Sequence, residues 1–163
     1  MDKQEVHRAV TEALLRRYET AKWAAKQAHE AATNEESIAE NKYDTFGLEA
    51  SYLAHGQSQR VLECEKDWLI FSKTTPVIFA EGSAVGLWSM VSLSDLASSC
   101  GEKKCFFISP CAGGLHIEVE GRVVYLVTTS SPVGKVLFGK VMGDEVDLPQ
   151  NGKQIAYEIT TIA

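Results

Sequence analysis

The sequence predicts an α+β protein: an antiparallel two-helix coiled coil over residues 1–72, then an antiparallel β-sheet module with one short helix over residues 76–163. Three observations predict it. All four prolines (Pro76, Pro110, Pro132, Pro149) fall after residue 75, and proline is the strongest helix breaker. The apolar period changes at the same place, from about 3.5 residues to short β-type runs. Between two helical stripes sits a block of acidic residues with turn-forming neighbours.

The first helix carries small or apolar residues at helical spacing: Val6, Val10, Ala13, then Ala21, Ala24, Ala28 and Ala31. The second carries Phe46, Ala50, Leu53, Gln57, Val61, Cys64, Trp68 and Phe71. Steps that alternate between three and four mark a coiled-coil seam. Thr33 and Asn34 compete with helical backbone and suit caps and turns, so the chain reverses there. Each helix of ~30 residues is ~45 Å long. Alanine on the first stripe permits close approach and little burial. The base, where Val6, Val10 and Leu14 can meet Val61, Cys64 and Trp68, is the better packed end. Gly47 and Gly56 each cost up to ~1 kcal/mol within the second helix.

In the second half the candidate strands are 77–79, 85–93, 104–108, 115–119, 123–128 and 154–162. Turn signals separate them: Ser98 to Gly101, Gly113-Gly114, Glu120-Gly121 and Asn151-Gly152. Asn-Gly between apolar runs is a strong hairpin signal. Ser131 suits an N-cap, Pro132 the first helical position and Gly139 a stop, which places the single short helix.

A net charge of -6 argues against a protein that grips a nucleic-acid backbone by overall charge. No apolar run reaches the ~18 residues of a membrane span, and the N-terminus lacks an apolar leader. The expectation is a cytoplasmic protein without membrane contact. Cys64, Cys100, Cys105 and Cys111 read as scattered reduced thiols, and no metal site is expected. His7, His29, His55 and His116 have no catalytic context. Gly134 to Lys140 resembles a phosphate-binding loop but puts Val141 where a hydroxyl must bind Mg2+. No enzymatic activity of its own is expected.

Charge is concentrated at the reversal. Glu30, Glu35, Glu36, Glu40, Asp44 and Glu49 are opposed only by Lys42, so the rest of the chain is close to neutral. Glu36, Glu40 and Asp44 share a helical face and repel one another, which lowers stability. Carboxylates at the end of a rod can supply oxygen ligands to a divalent cation held by a partner.

Two segments resemble the bacterial Gre transcript-cleavage factors. Ser37-Ile38-Ala39-Glu40-Asn41-Lys42-Tyr43, followed by Glu49-Ala50-Ser51-Tyr52-Leu53-Ala54, is similar to the Gre hairpin tip and second helix. The run from Ser131 to Lys140, then Gly143-Asp144-Glu145-Val146 and Ala156-Tyr157-Glu158-Ile159, is similar to the end of the Gre C-terminal domain. The resemblance implies a C-terminal FKBP-like domain without isomerase activity, docked at the rim of the RNA polymerase secondary channel. It implies a coiled coil inserted into that channel, with indirect contact to DNA and RNA in the elongation complex. Glu36 and Glu40 would then assist the polymerase Mg2+, supported by Glu35, Ser37, Asn41 and Asp44. Pro132, Val133, Leu137 and Phe138 would dock on the polymerase. The only cofactor implied is the Mg2+ shared with the polymerase, and the chain is expected to act as a monomer. Glu40-Asn41 matches the family tip, whereas the family's first tip acid falls on Ser37, with Glu36 one position earlier. Two outcomes stay open: stimulated cleavage of backtracked RNA, or channel binding that inhibits without cleavage. A coiled-coil adaptor unrelated to transcription is the alternative from another class.

Overall fold

A computed structural model describes residues 1–33, 45–80, 82–96, 103–150 and 152–163. Its elements in chain order are α1 (Lys3–Thr33), α2 (Phe46–Lys73), β1 (Met90–Asp95), β2 (Lys103–Ser109), β3 (His116–Val119), β4 (Arg122–Thr128), α3 (Pro132–Leu137), β5 (Glu145–Gln150) and β6 (Lys153–Ile162). No helix among the described residues is long and apolar enough to cross a membrane. The chain divides into two compact units: Val10–Thr74, and Met1–Ala9 together with Thr75–Ala163.

In the helical unit, Tyr18 stacks on Trp68 at 5.8 Å between ring centroids, and its hydroxyl donates to Glu65 Oε1 at 3.2 Å. That contact settles the direction of the pair. Were the helices parallel, the end of α1 and the start of α2 would lie ~55 Å apart. The chain from Thr33 to Phe46 reaches at most ~47 Å. The helices are therefore antiparallel.

A shielded stripe of α1 runs Thr11, Leu14, Tyr18, Ala21, Ala25, Ala28 and Ala32, alternating steps of three and four; that of α2 runs Gly47, Ala50, Ala54, Gln57, Val61, Cys64, Trp68 and Phe71 in the same alternation. Four expected seam residues within its span fall outside it: Ala13 and Ala24 are half-buried just beside the stripe, and two others are exposed. Ala31 is exposed, and Leu53 is 57 % exposed while Ala54 takes its place. The strict heptad period decides the face, and the larger residue at 53 misleads. A Cβ added at Gly56 would meet nothing within 4 Å, so this glycine serves no close helix approach.

The sheet unit holds six strands in the order β3-β4-β2-β1-β6-β5. Four ladders are antiparallel as expected, and β2·β4 is parallel, with Cys105 opposite Val124 and Ser109 opposite Thr128. The parallel pair arises because β3 forms an edge hairpin with β4 and so returns β4 alongside β2 in the same direction. One face of the sheet packs with α3 around Val91, Leu93, Phe106, Ile108, Leu137, Tyr157 and Ile159. Alternation puts Met90, Cys105, Phe107, Val124 and Leu126 on the other face, where they are also buried. The chain's first residues lie on that side: His7 is 6.2 Å from the Trp88 ring, which meets Phe107 edge-on at 6.3 Å. Burial, then the positive charge of Lys3, pulls the His7 imidazole below its usual pKa.

Three strand expectations are corrected. Residues 77–79 form no strand; the Lys3 ammonium donates to the Val77 carbonyl and lies 4.4 Å from the Phe79 ring centroid. The strand expected from residue 85 starts at Met90, because the chain turns at Trp88 (φ 71°), whose N–H donates to Ile108 O at 2.7 Å. β5 is absent from the sequence-based expectation, since Glu145, Asp147 and Pro149 alternate with only two apolar residues, Val146 and Leu148. It is an edge strand, where charge and proline are tolerated and discourage pairing with other chains. The hairpin after it closes with Gln150 opposite Lys153 and Gly152 at φ 77°, while Asn151 lies outside the described residues.

Candidate functional site

The tip residues Glu35, Glu36, Ser37, Glu40, Asn41 and Asp44 lie outside the described residues. Their flanks are described. α1 ends with the Thr33 hydroxyl donating to His29 O at 2.9 Å, and Glu30 pairs with Lys26 at 3.7 Å. α2 starts after Thr45, whose hydroxyl donates to Glu49 Oε1 at 3.0 Å. Glu30 and Glu49 thus have local partners. The four other carboxylates of the block are those at 35, 36, 40 and 44.

The four docking candidates separate by burial. α3 is built by the expected local chemistry: Ser131 Oγ accepts from Gly134 N at 3.0 Å, Pro132 occupies the first turn, and Gly139 takes φ 81° beyond the end. Gly134 is required because a Cβ there would lie 2.0 Å from the Thr128 carbonyl oxygen, so α3 sits directly on the end of β4. Pro132 is exposed, Val133 is half-buried, and Phe138 is 51 % exposed. Leu137 is fully buried in the core. A side chain without exposure cannot touch a partner, so Leu137 leaves the docking set. Pro132 and Val133 line one concave apolar pocket of about 550 Å³ with Tyr125, Ser131 and Pro149.

Sequence reasoning missed a second feature, in the helical unit. Arg16, Arg17 and Arg60 converge on a groove of about 350 Å³ between α1 and α2, together with Thr20 and Gln57. Small residues open it: Ala13, Ala21 and Ala24 line the same groove. The net charge of -6 hides three cations gathered in one place. The usable signal was the alanine run itself, which leaves room that leucines would fill.

Cys64 and Cys105 are buried free thiols, Cys111 is half-buried, and Cys100 lies outside the described residues. Among the described residues, no three His, Cys, Asp or Glu side chains are grouped so as to hold a metal ion.

No family model matches the chain, and no curated protein matches it. Among solved structures it is similar to GreA factor homolog 1 (Gfh1) of Thermus thermophilus, at 23 % identity over 94 % of each chain and a TM-score of 0.40. It is similar to Gfh1 of Thermus aquaticus, at 23 % identity over 95 % of this chain and 94 % of that one, TM-score 0.40. It is also similar to a prokaryotic transcription elongation factor GreA/GreB from Nitrosomonas europaea, at 19 % identity over 61 % of this chain and 78 % of that one, TM-score 0.39.

Proposed function

We propose that this chain is a Gre-like elongation factor that binds RNA polymerase, inserts its helical pair into the secondary channel and presents the acidic segment to the polymerase's Mg2+. One observation carries the reading. Four carboxylates, at Glu35, Glu36, Glu40 and Asp44, sit in the connection between two antiparallel helices, within a segment that resembles the Gre tip. Gathering like charge there costs stability, which a cation brought against it by a partner would offset.

The chemistry belongs to the partner. A carboxylate oxygen from Glu40, with Glu36 four residues earlier, would complete the ligand set of a second Mg2+ at the polymerase active site. Held there, Mg2+ would supply activation of water and stabilisation of the leaving oxygen of a backtracked RNA. Glu35, Ser37, Asn41 and Asp44 support the tip. The arginines at 16, 17 and 60 provide positive surface toward nucleic-acid phosphates within the channel. Pro132 and Val133 in their pocket, with exposed Phe138, provide the docking surface at the channel rim. The chain needs no cofactor of its own and is not itself an enzyme.

Two observations favour other readings. Ser37 replaces an acid with a neutral hydroxyl, which weakens the Mg2+ ligand set and favours a channel binder that inhibits. Trp23 is 66 % exposed on α1, which favours a helical protein partner and the adaptor reading. One assay separates them: the purified chain is added to a stalled, backtracked elongation complex carrying labelled RNA. Shortened RNA establishes cleavage, slowed extension without shortening establishes inhibition, and absence of polymerase binding leaves the adaptor. For a cleavage factor, Glu40→Ala abolishes shortening while polymerase affinity is kept. Undiminished shortening by that variant removes Glu40 from the role.

A further inference from the structure

A cleft of about 310 Å³ opens on the face of the sheet opposite α3, and its lining differs in kind from the apolar pocket. It includes Lys103 of β2, Arg122 of β4 and three hydroxyl residues, Ser92, Thr160 and Thr161. The parallel register that sets Cys105 opposite Val124 places Lys103 and Arg122 on one rung, each two residues back along its strand. Both therefore project to the same face from neighbouring strands. Like charges directly opposite one another in a sheet are destabilising, and neither forms an ion pair among the described residues.

Strand register places the remaining groups. Met1 lines the cleft, and Glu120 lies 3.6 Å from its amino group. Glu158 projects to the same face opposite Ser94, itself opposite Lys103, which puts it two strands or ~9.6 Å away. The Thr160 hydroxyl donates to Ser92 O at 3.0 Å, and Thr161 lies on the rung beside Ser92. Cys105, on the same face of β2, is buried; burial pushes its thiol pKa up, while the hydrogen bond with Ser92 and the positive charges of Arg122 and the Met1 amino group act in the opposite sense.

We propose that this cleft binds a phosphoryl group of a small free anion, of the inorganic phosphate or pyrophosphate class. Arg122 presents paired N–H donors to two oxygens, Lys103 neutralises the remaining charge, and the Thr161 hydroxyl donates to an edge oxygen. The volume lies at the small end of ligand pockets, which suits an anion of this size. A nucleic-acid strand needs cations spread along its backbone, and the cleft offers two side chains on one rung. The inference is independent of polymerase binding, because it uses neither the acidic segment nor α3.

The full chain, labelled for amide NMR, is titrated with sodium pyrophosphate at constant ionic strength. Parallel titrations use sodium chloride and a single-stranded RNA twelve residues long. Saturable shifts at residues 92, 103, 122 and 161 with pyrophosphate are expected. Lys103→Gln and Arg122→Gln should each weaken binding by about tenfold or more. Both side chains are exposed, so circular dichroism of the variants should match the parent, and thermal stability without anion should not fall. Pyrophosphate should raise the melting temperature of the parent and leave the double variant unmoved. Shifts no larger than those with chloride, binding that survives the double substitution, or RNA saturating these residues at lower concentration than pyrophosphate would each overturn the proposal.

Discussion

The helical unit and the sheet unit solve the same problem with different materials. The seam of α1 contains four alanines among its seven shielded positions from Thr11 to Ala32, whereas the sheet core is built from valine, leucine, isoleucine, phenylalanine and a fully buried tyrosine. A buried methylene contributes ~0.8 kcal/mol, so an alanine seam adds little tertiary stabilisation per turn. The helices rely on good intrinsic propensity and on a few larger contacts, of which the Tyr18–Trp68 stack is one. The sheet relies on dense tertiary burial. The acidic block of the sequence thus falls between the elements that depend least on long-range packing.

That contrast can be broken most directly in the core. Leu137→Ala removes a fully buried side chain and should destabilise the sheet unit by ~3 kcal/mol, read by chemical denaturation. If the loss is under ~1 kcal/mol, α3 is not the cover the core needs. Gly134→Ala comes next. Its added methyl meets the Thr128 carbonyl, and shifting α3 to relieve this should cost ~2 kcal/mol. The same substitution should shift the amide resonances of Pro132's neighbours Ser131 and Val133.

In the helical unit the effects should be smaller and local. Trp68→Ala removes the stack on Tyr18 and should cost ~1–2 kcal/mol, with loss of helical circular dichroism before the sheet unfolds. A single transition common to both probes would show that the two units melt as one. The smallest effect tests the seam register. Leu53→Ala, at an exposed position, should change stability by less than ~0.5 kcal/mol, while Ala54→Asp on the shielded face should cost more. The reverse order would restore residue 53 to the seam.

Most of the architecture was legible because periodicity and punctuation act locally. Proline placement, the 3–4 alternation and the Ser131-Pro132 cap each specify their own segment. What escaped depended on partners remote in sequence. The 77–79 run has strand composition, yet its Val77 carbonyl is taken by Lys3. β5 has too few apolar residues to announce itself and is ordered by pairing along the whole of β6's first half. The parallel β2·β4 ladder follows from the edge hairpin of β3, which no propensity records. In the site, α3 was foreseen residue by residue, whereas the burial of Leu137 and the meeting of Arg16, Arg17 and Arg60 depend on three-dimensional neighbours. The acidic segment was read from composition and family likeness alone.

The position of β6 has a consequence for biogenesis. It is the last strand in chain order but lies inside the sheet, between β1 and β5. β1 is made some sixty residues earlier and must wait with one edge open until residues 157–162 arrive to pair with it. On the ribosome, then, the sheet cannot close before this segment has left the exit tunnel, while α1 and α2 have long been free to form. Loss of the last four residues here would remove the rungs that Thr161 and Ile162 make with Ser92 and Val91, while residues 153–158 would still pair with β5, so the damage would fall on β1 alone.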